Sequence, residues 1–337
     1  MTAHGDWGRA RLTRRACLVG LPLVGACSRR EAPPTPALTA TANVPSAQTD
    51  ATSSERAAPL HAAASADSAS RPTPLVQRME WDFGSRGRVV VLLARADESV
   101  RVPVVVALHG RGEALKGPVR GPDGWPRDYA LARAMGRVFA PPLATSDFEG
   151  LITGERLRSI NARLVERPFR GLAVLSPFLP DFDWNAPSDE LVRSYARFLL
   201  DEVVARARRE LPVLGTPSAT GIDGVSLGGA MALRVGLRYP KEFGAVGTLQ
   251  CALQPGFAGA LAREAFRARR ENPALALRVA TSVDDSFKES NRALSDAFTA
   301  AGVTHTFADH LGPHDYVWNR GPGSYELLLF HDASLRP

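Results

Sequence analysis

The 337-residue chain has only three cysteines and three lysines, Lys116, Lys241 and Lys288. Cys17 and Cys27 sit near the N-terminus, so Cys251 stands alone in the remainder and an intrachain disulfide is excluded there. Cys251 follows the apolar run GAVGTLQ and reads as a small buried hydrophobe. No Cys/His group has metal-ligand spacing and no GxxxxGK phosphate loop occurs, so no metal or other cofactor is expected. The net charge is +6, yet the basic residues are nearly all arginine, interspersed with acidic ones, with neither a basic stripe nor an aromatic platform. Nucleic acid is therefore not an expected partner, and nothing in the pattern predicts a protein partner. Long hydrophobic runs are also missing: the stretch from Cys17 to Ala26 is too short to span a bilayer as a helix.

That stretch follows the basic segment RLTRRA, the order of an export signal. It ends LVGAC, which resembles the lipobox of bacterial lipoproteins. The resemblance implies lipidation of Cys27, an exported envelope protein and a membrane anchor, since two or more acyl chains give stable attachment. Ser28 after Cys27 resembles the sorting pattern of the outer membrane, and Thr13, Arg14 and Arg15 a loose twin-arginine signal. Residues 28–74 are Ala, Pro, Thr and Ser with almost no large apolar side chain, so burial cannot offset their ordering entropy. Three regions are expected: an export signal at 1–27, a disordered tether at 28–74 and a folded domain at 75–337.

Within the folded region, short apolar runs alternate with longer amphipathic ones, which predicts βα units around a mostly parallel sheet, an α/β fold. RVVVLLA and PVVVALHG read as the first strong strands, Arg127 to Met135 as a helix, GLAVLSPFLP as a strand and Ser188 as the N-cap of a helix to about Glu210. FGAVGTLQ, ALRVATSV and THTFADH read as later strands, Ser286 to Ala301 and SYELLLFHD as helices.

Between them, GIDGVSLGGAMAL places Ser226 in a GxSxG pattern at the junction of a strand and a helix that stops at Tyr239-Pro240. A nucleophile elbow needs this setting, because the turn must lift the serine hydroxyl above the sheet. A serine hydroxyl at neutral pH also needs a base, and that base needs an orienting acid. Downstream histidines are His305, His310, His314 and His331. His314, in the loop LGPHDYVWN after the last strand, is the expected base, with His310 as the alternative. The acid should follow ALRVATSV, which leaves Asp284 or Asp285. Two oxyanion donors are expected, the backbone N–H of Leu227 after the elbow and that of Arg111 in the His109-Gly110-Arg111-Gly112 loop.

LHGRGE, GVSLGGAMAL followed by YPKEFGAV, DSFKESNRAL and GPHDYVWN together resemble the putative-esterase branch of the α/β-hydrolases, which includes feruloyl, acetylxylan and enterochelin-type esterases. The resemblance covers roughly Val89 to Phe330. It implies the α/β-hydrolase fold, helices on both sheet faces and cleavage of carboxylic esters, with Asp285 as the acid because Phe287, Asn291 and Arg292 follow it in the family's pattern. Pro313 departs from the family's glycine before the histidine, and the stretch from Pro141 to Arg170 exceeds a simple loop and is a candidate helical flap. Trp184, Tyr316 and Trp318 are candidate substrate-stacking residues. The expected substrate is a small-molecule or polysaccharide-linked ester. Peptidase or acyltransferase chemistry on the same fold, and a tethered non-catalytic binding module, are the alternatives.

Overall fold

The computed structural model describes residues 75–335. The expected export signal, Cys27 and the tether lie outside the described residues. Among the described residues eight strands form one sheet: β1 (Leu75–Asp82), β2 (Arg88–Arg95), β3 (Val104–Leu108), β4 (Gly171–Pro177), β5 (Thr220–Gly224), β6 (Ala245–Leu249), β7 (Ala276–Asp284) and β8 (Thr306–Pro313). Their order is β1-β2-β4-β3-β5-β6-β7-β8. The β1–β2 and β2–β4 pairings are antiparallel, and every pairing from β4 through β8 is parallel. β1 was not among the expected strands. It is an edge strand whose Arg78 and Glu80 form an ion pair at 2.7 Å rather than adding to an apolar run.

The expected apolar runs follow from burial on both faces. Val104, Val106 and Leu108 of β3 belong to one core, with Val192 and Tyr195 of α4 (Asp189–Arg197), Met231 of α5 (Leu227–Arg238), Leu261 of α6 (Ala258–Glu271) and Phe298 of α7 (Lys288–Ala300). Val105 and Ala107 belong to the other, with Met135 of α2 (Leu131–Val138) and Leu327 and Leu328 of α8 (Ser324–Ser334). Ser188 caps α4 by accepting the Leu191 N–H at 3.1 Å, and the helix continues through a π-helical stretch to Glu210.

Two stretches depart from expectation. The helix placed at Arg127 to Met135 starts later, at Leu131, because Gly124–Asp128 form a π turn and Ala130 is left-handed at φ 55°. That turn buries Trp125, whose indole N–H donates to Leu108 O at 3.0 Å. The 141–170 stretch does contain a helix, α3 (Gly154–Glu166), but it is tied to α8. Arg156 pairs with Glu326, and Arg163 donates to Leu329 O at 2.5 Å.

A charged row crosses the sheet beneath the elbow. Asp223 of β5 and Arg278 of β7 are fully buried and joined at 2.7 and 2.8 Å, although β6 lies between their strands. The pair closes over Gly247 of β6, where a Cβ would lie 2.2 Å from Asp223 Oδ2 and 2.6 Å from Arg278 Nη2. His331 of α8 reaches the same carboxylate at 2.9 Å.

Candidate active site

The strand order reverses at β3, whose neighbours are β4 on one side and β5 on the other. Ligands of open parallel sheets bind at the carboxyl ends of strands beside such a reversal. Arg111, Ser226, Asp285 and His314 directly follow or lie close after the C-terminal ends of β3, β5, β7 and β8.

Ser226 stands between β5 and α5 with φ 56° and ψ −117°, a conformation that costs a non-glycine residue on the order of 1–3 kcal/mol. The surroundings hold it there: Ser226 N–H donates to Leu249 O at 2.9 Å, and its carbonyl accepts from Ala230 and Ala252 at 3.1 and 3.0 Å. Both glycines of the motif are required by close approach. A Cβ on Gly224 would lie 2.3 Å from the Gly228 backbone, and one on Gly228 would lie 2.2 Å from Leu108 O.

The Asp285 carboxylate has no exposed side-chain surface and receives three donors. Thr281 Oγ1 donates to Oδ2 at 2.7 Å, Phe287 N–H to Oδ1 at 2.9 Å, and His314 Nδ1 lies 2.7 Å from Oδ1. Asp284, by contrast, is exposed at the end of β7. With Nδ1 bound to the carboxylate, the other imidazole nitrogen, Nε2, is left to act as a base. No hydrogen bond joins His314 to the Ser226 hydroxyl in this structure; such bonds are commonly long before substrate arrives. His310, the alternative base, is buried on a different side, 3.4 Å from both Arg156 and Glu326, and burial lowers its pKa to about 4. It lines a cavity of about 1020 Å³ between α3, α8 and β8 that contains none of Ser226, Asp285 or His314.

The histidine loop is bound to the elbow through Gln250, a residue the sequence did not single out. Gln250 follows Leu249, the acceptor of the Ser226 N–H, and is fully buried at φ 43°. Its Nε2 donates to Ser282 Oγ at 2.7 Å and to Pro313 O at 3.0 Å, so it holds the residue next to His314. Gly312 at φ 105° permits the turn before Pro313.

Arg111 opens α1 (Arg111–Ala114), and Leu227 opens α5. Neither N–H donates to a backbone carbonyl, as expected in the first turn of a helix, and both helices direct the positive ends of their dipoles here. Gly110, the residue before Arg111, lies against the elbow; a Cβ on it would be 3.8 Å from Ser226 Cβ. The Arg111 side chain pairs with Asp181 through contacts of 3.0 and 3.1 Å. His109 is buried and structural. Its Nδ1 lies 3.0 Å from Gly110 O and its Nε2 accepts the Leu179 N–H at 3.0 Å, while burial lowers its pKa.

The three candidate stacking residues divide. Trp184 is half-buried and packs edge-on against Phe287 at 5.3 Å, and Phe287 packs on His314 at 5.4 Å, which puts an aromatic pair beside that imidazole. Tyr316 is partly exposed, with its hydroxyl bonded to Glu113. Trp318 corrects the expectation: it is fully buried in the core with Phe148 and Tyr325, so its ring faces are closed to a substrate.

Residues 176–318 match the Putative esterase family. No curated protein matches the chain by sequence. Among solved structures, a ferulic acid esterase is similar at 16% identity and TM-score 0.56, over 78% of this chain and 99% of that one. An S-formylglutathione hydrolase from Staphylococcus aureus is similar at 15% identity and TM-score 0.52, over 77% and 99%. A fluorophosphonate-binding serine hydrolase of the same organism gives 14% identity and TM-score 0.53, over 77% and 98%. These likenesses carry the fold. The family match spans the elbow and the histidine loop, and the fold is that of the α/β-hydrolases.

Proposed function

We propose that the chain is a serine-dependent carboxylic ester hydrolase. The observation that carries the reading is the left-handed Ser226 at the β5–α5 elbow, at the same sheet edge as the 2.7 Å Asp285–His314 pair. Ser226 Oγ attacks the ester carbonyl while His314 Nε2 takes its proton. Asp285 keeps the imidazole in the tautomer that leaves Nε2 free and stabilises the imidazolium. The carbonyl electron pair moves to oxygen, where the Leu227 and Arg111 N–H groups receive it; each such donor contributes about 3 kcal/mol. Collapse expels the alcohol with the proton from His314. Water, activated by the same imidazole, then cleaves the acyl-Ser226 ester and releases the acid. The Trp184–Phe287 pair beside His314 gives one wall of the substrate an aryl or sugar-ring face. A second part of the reading is that the domain is exported and held at a membrane by a lipid on Cys27, motivated by the LVGAC ending of the N-terminal apolar stretch.

The test is hydrolysis of p-nitrophenyl esters from acetyl to octanoyl, beside fluorophosphonate labelling, for the chain and Ser226→Ala. Ser226→Ala is expected to lose at least about 10³-fold in kcat and all labelling. Full activity in that variant sinks the reading. Silence and absence of label in the unaltered chain would favour a non-catalytic binding module.

A further inference from the structure

Glu113, on the one-turn helix that carries Arg111, is 1% exposed, and its side-chain partners are two phenol hydroxyls and an ammonium. Tyr129 Oη donates to one of its carboxylate oxygens, Oε2. Tyr316 Oη donates to the other at 2.5 Å, and Lys116 Nζ reaches that same oxygen at 3.3 Å. Lys116 also binds Tyr316 Oη at 3.2 Å and Asp128 at 2.8 Å. Burial and the bond to Glu113 raise the Tyr316 pKa, and burial with the Glu113 charge raises that of Tyr129, so both phenols remain donors. A buried carboxylate with one neighbouring cation costs several kcal/mol of desolvation, which its hydrogen bonds must offset. Such a group needs a reason to be there.

Its two arms end on the two loops that the proposed chemistry must hold in register. On one arm, Tyr129 Oη accepts the Gly110 N–H at 3.2 Å, next to the Arg111 oxyanion donor. On the other, Tyr316 lies two residues beyond His314. Space for the cluster is made by glycines. A Cβ would lie 3.1 Å from Tyr316 Oη if placed on Gly112, 3.2 Å from Tyr129 Oη on Gly110 and 2.7 Å from Glu113 Cγ on Gly124. Gln250 fixes the histidine loop from the elbow side, but it does not reach the β3 loop.

We propose that Glu113 is a positioning residue that sets the distance between the oxyanion loop and the histidine loop, by clamping Tyr129 and Tyr316 onto one buried carboxylate. This rests on the reading of the site as an ester hydrolase. Glu113 touches no reacting atom; its effect is on the alignment of the Arg111 N–H and the His314 imidazole when the tetrahedral intermediate forms. A misplacement of about 1 Å there costs on the order of 10²-fold in rate.

The experiment compares the full chain with Glu113→Ala, Glu113→Gln, Tyr129→Phe and Tyr316→Phe, with kcat expressed per site titrated by a fluorophosphonate so that unfolded protein does not count. Glu113→Ala is expected to lower kcat per titrated site by about 10- to 100-fold with KM changed less than about threefold, the pattern of an interaction felt in the transition state. Glu113→Gln keeps an acceptor for Tyr316 but opposes an N–H to Tyr129, so it should recover most of the loss without all of it. The phenylalanine variants keep the rings and remove one arm each, and each is expected to reproduce part of the kcat loss. Combined with Glu113→Ala, Tyr316→Phe should add little, because the arm is already cut. If Glu113→Ala fails to fold, the two phenylalanine variants decide. Unchanged kcat per titrated site in them, or in a folded Glu113→Ala, overturns the proposal while leaving the esterase reading intact. An unaltered chain that neither turns over esters nor takes the label removes both.

Discussion

At the residue scale, the proposed chemistry falls on side chains held in positions that their own preferences would not select. Ser226 at φ 56° and Gln250 at φ 43° are both non-glycine residues in the left-handed region, and they lie on consecutive parts of the same network. Strain of this kind persists where the surroundings over-determine it. Asp285 is the third case, a carboxylate without solvent that three donors fix in place. Asp285→Asn changes little in shape but reverses the hydrogen-bond demand toward His314 Nδ1, so the imidazole is driven to the wrong tautomer. The expected result is a loss of about 10³- to 10⁴-fold in kcat with the fold retained, measured by ester turnover and circular dichroism together. Turnover within about tenfold of the unaltered chain would remove Asp285 from the orienting role.

At the element scale, α8 and β8 hold two of the buried histidines that make the fold sensitive to acid, His109 after β3 being another. His310 of β8 is buried against Glu326 and Arg156, with Arg278 and Asp309 also acting on it, and burial lowers its pKa to about 4. His331 of α8 is lowered as well, by burial that outweighs its bond to Asp223. Between about pH 6.5, where an unfolded histidine titrates, and pH 4, the unfolded chain binds protons that the native one refuses. Stability is therefore complete above pH 6.5 and declines as pH falls toward 4, by on the order of 3 kcal/mol for His310 over the whole window. Denaturant unfolding at pH 7.5 and pH 5 should show this decline, and His310→Gln should reduce it. A flat profile would mean that none of these buried histidines resists protonation in the folded chain. The same elements explain why α3 is not a flap: Arg156 and Arg163 direct their donors to α8, which holds the helix there.

At the scale of the whole molecule, the anchor and the folded domain are separate questions. Replacing Cys27 by Ala is expected to move the protein from the membrane pellet to the soluble fraction and to abolish labelling by a palmitate analogue; an unchanged pellet would exclude the lipid anchor. As to the folded domain, its local sequence specified most of its elements. Continuous apolar runs such as VVVAL marked strands buried on both faces, Ser188 and Tyr239-Pro240 marked helix limits, and GVSLGG marked the elbow, because periodicity, capping and close backbone approach are properties of neighbours in the chain. β1 was invisible because an edge strand with Arg78 and Glu80 outward lacks the apolar signal. Asp284 and Asp285 were equal by spacing, and only the turn after β7 separates an exposed carboxylate from a buried one. Trp318 next to Tyr316 looked like a substrate platform until the core closed over it. Glu113 and Tyr316 are about two hundred residues apart and Asp223 and Arg278 about fifty, and no local pattern announces such pairs. The sequence by itself determined the alternation of elements and the serine's place on its turn; the tertiary structure decided which acid, which aromatics and which buried charges meet, since those follow from strand order and register rather than from neighbours along the chain.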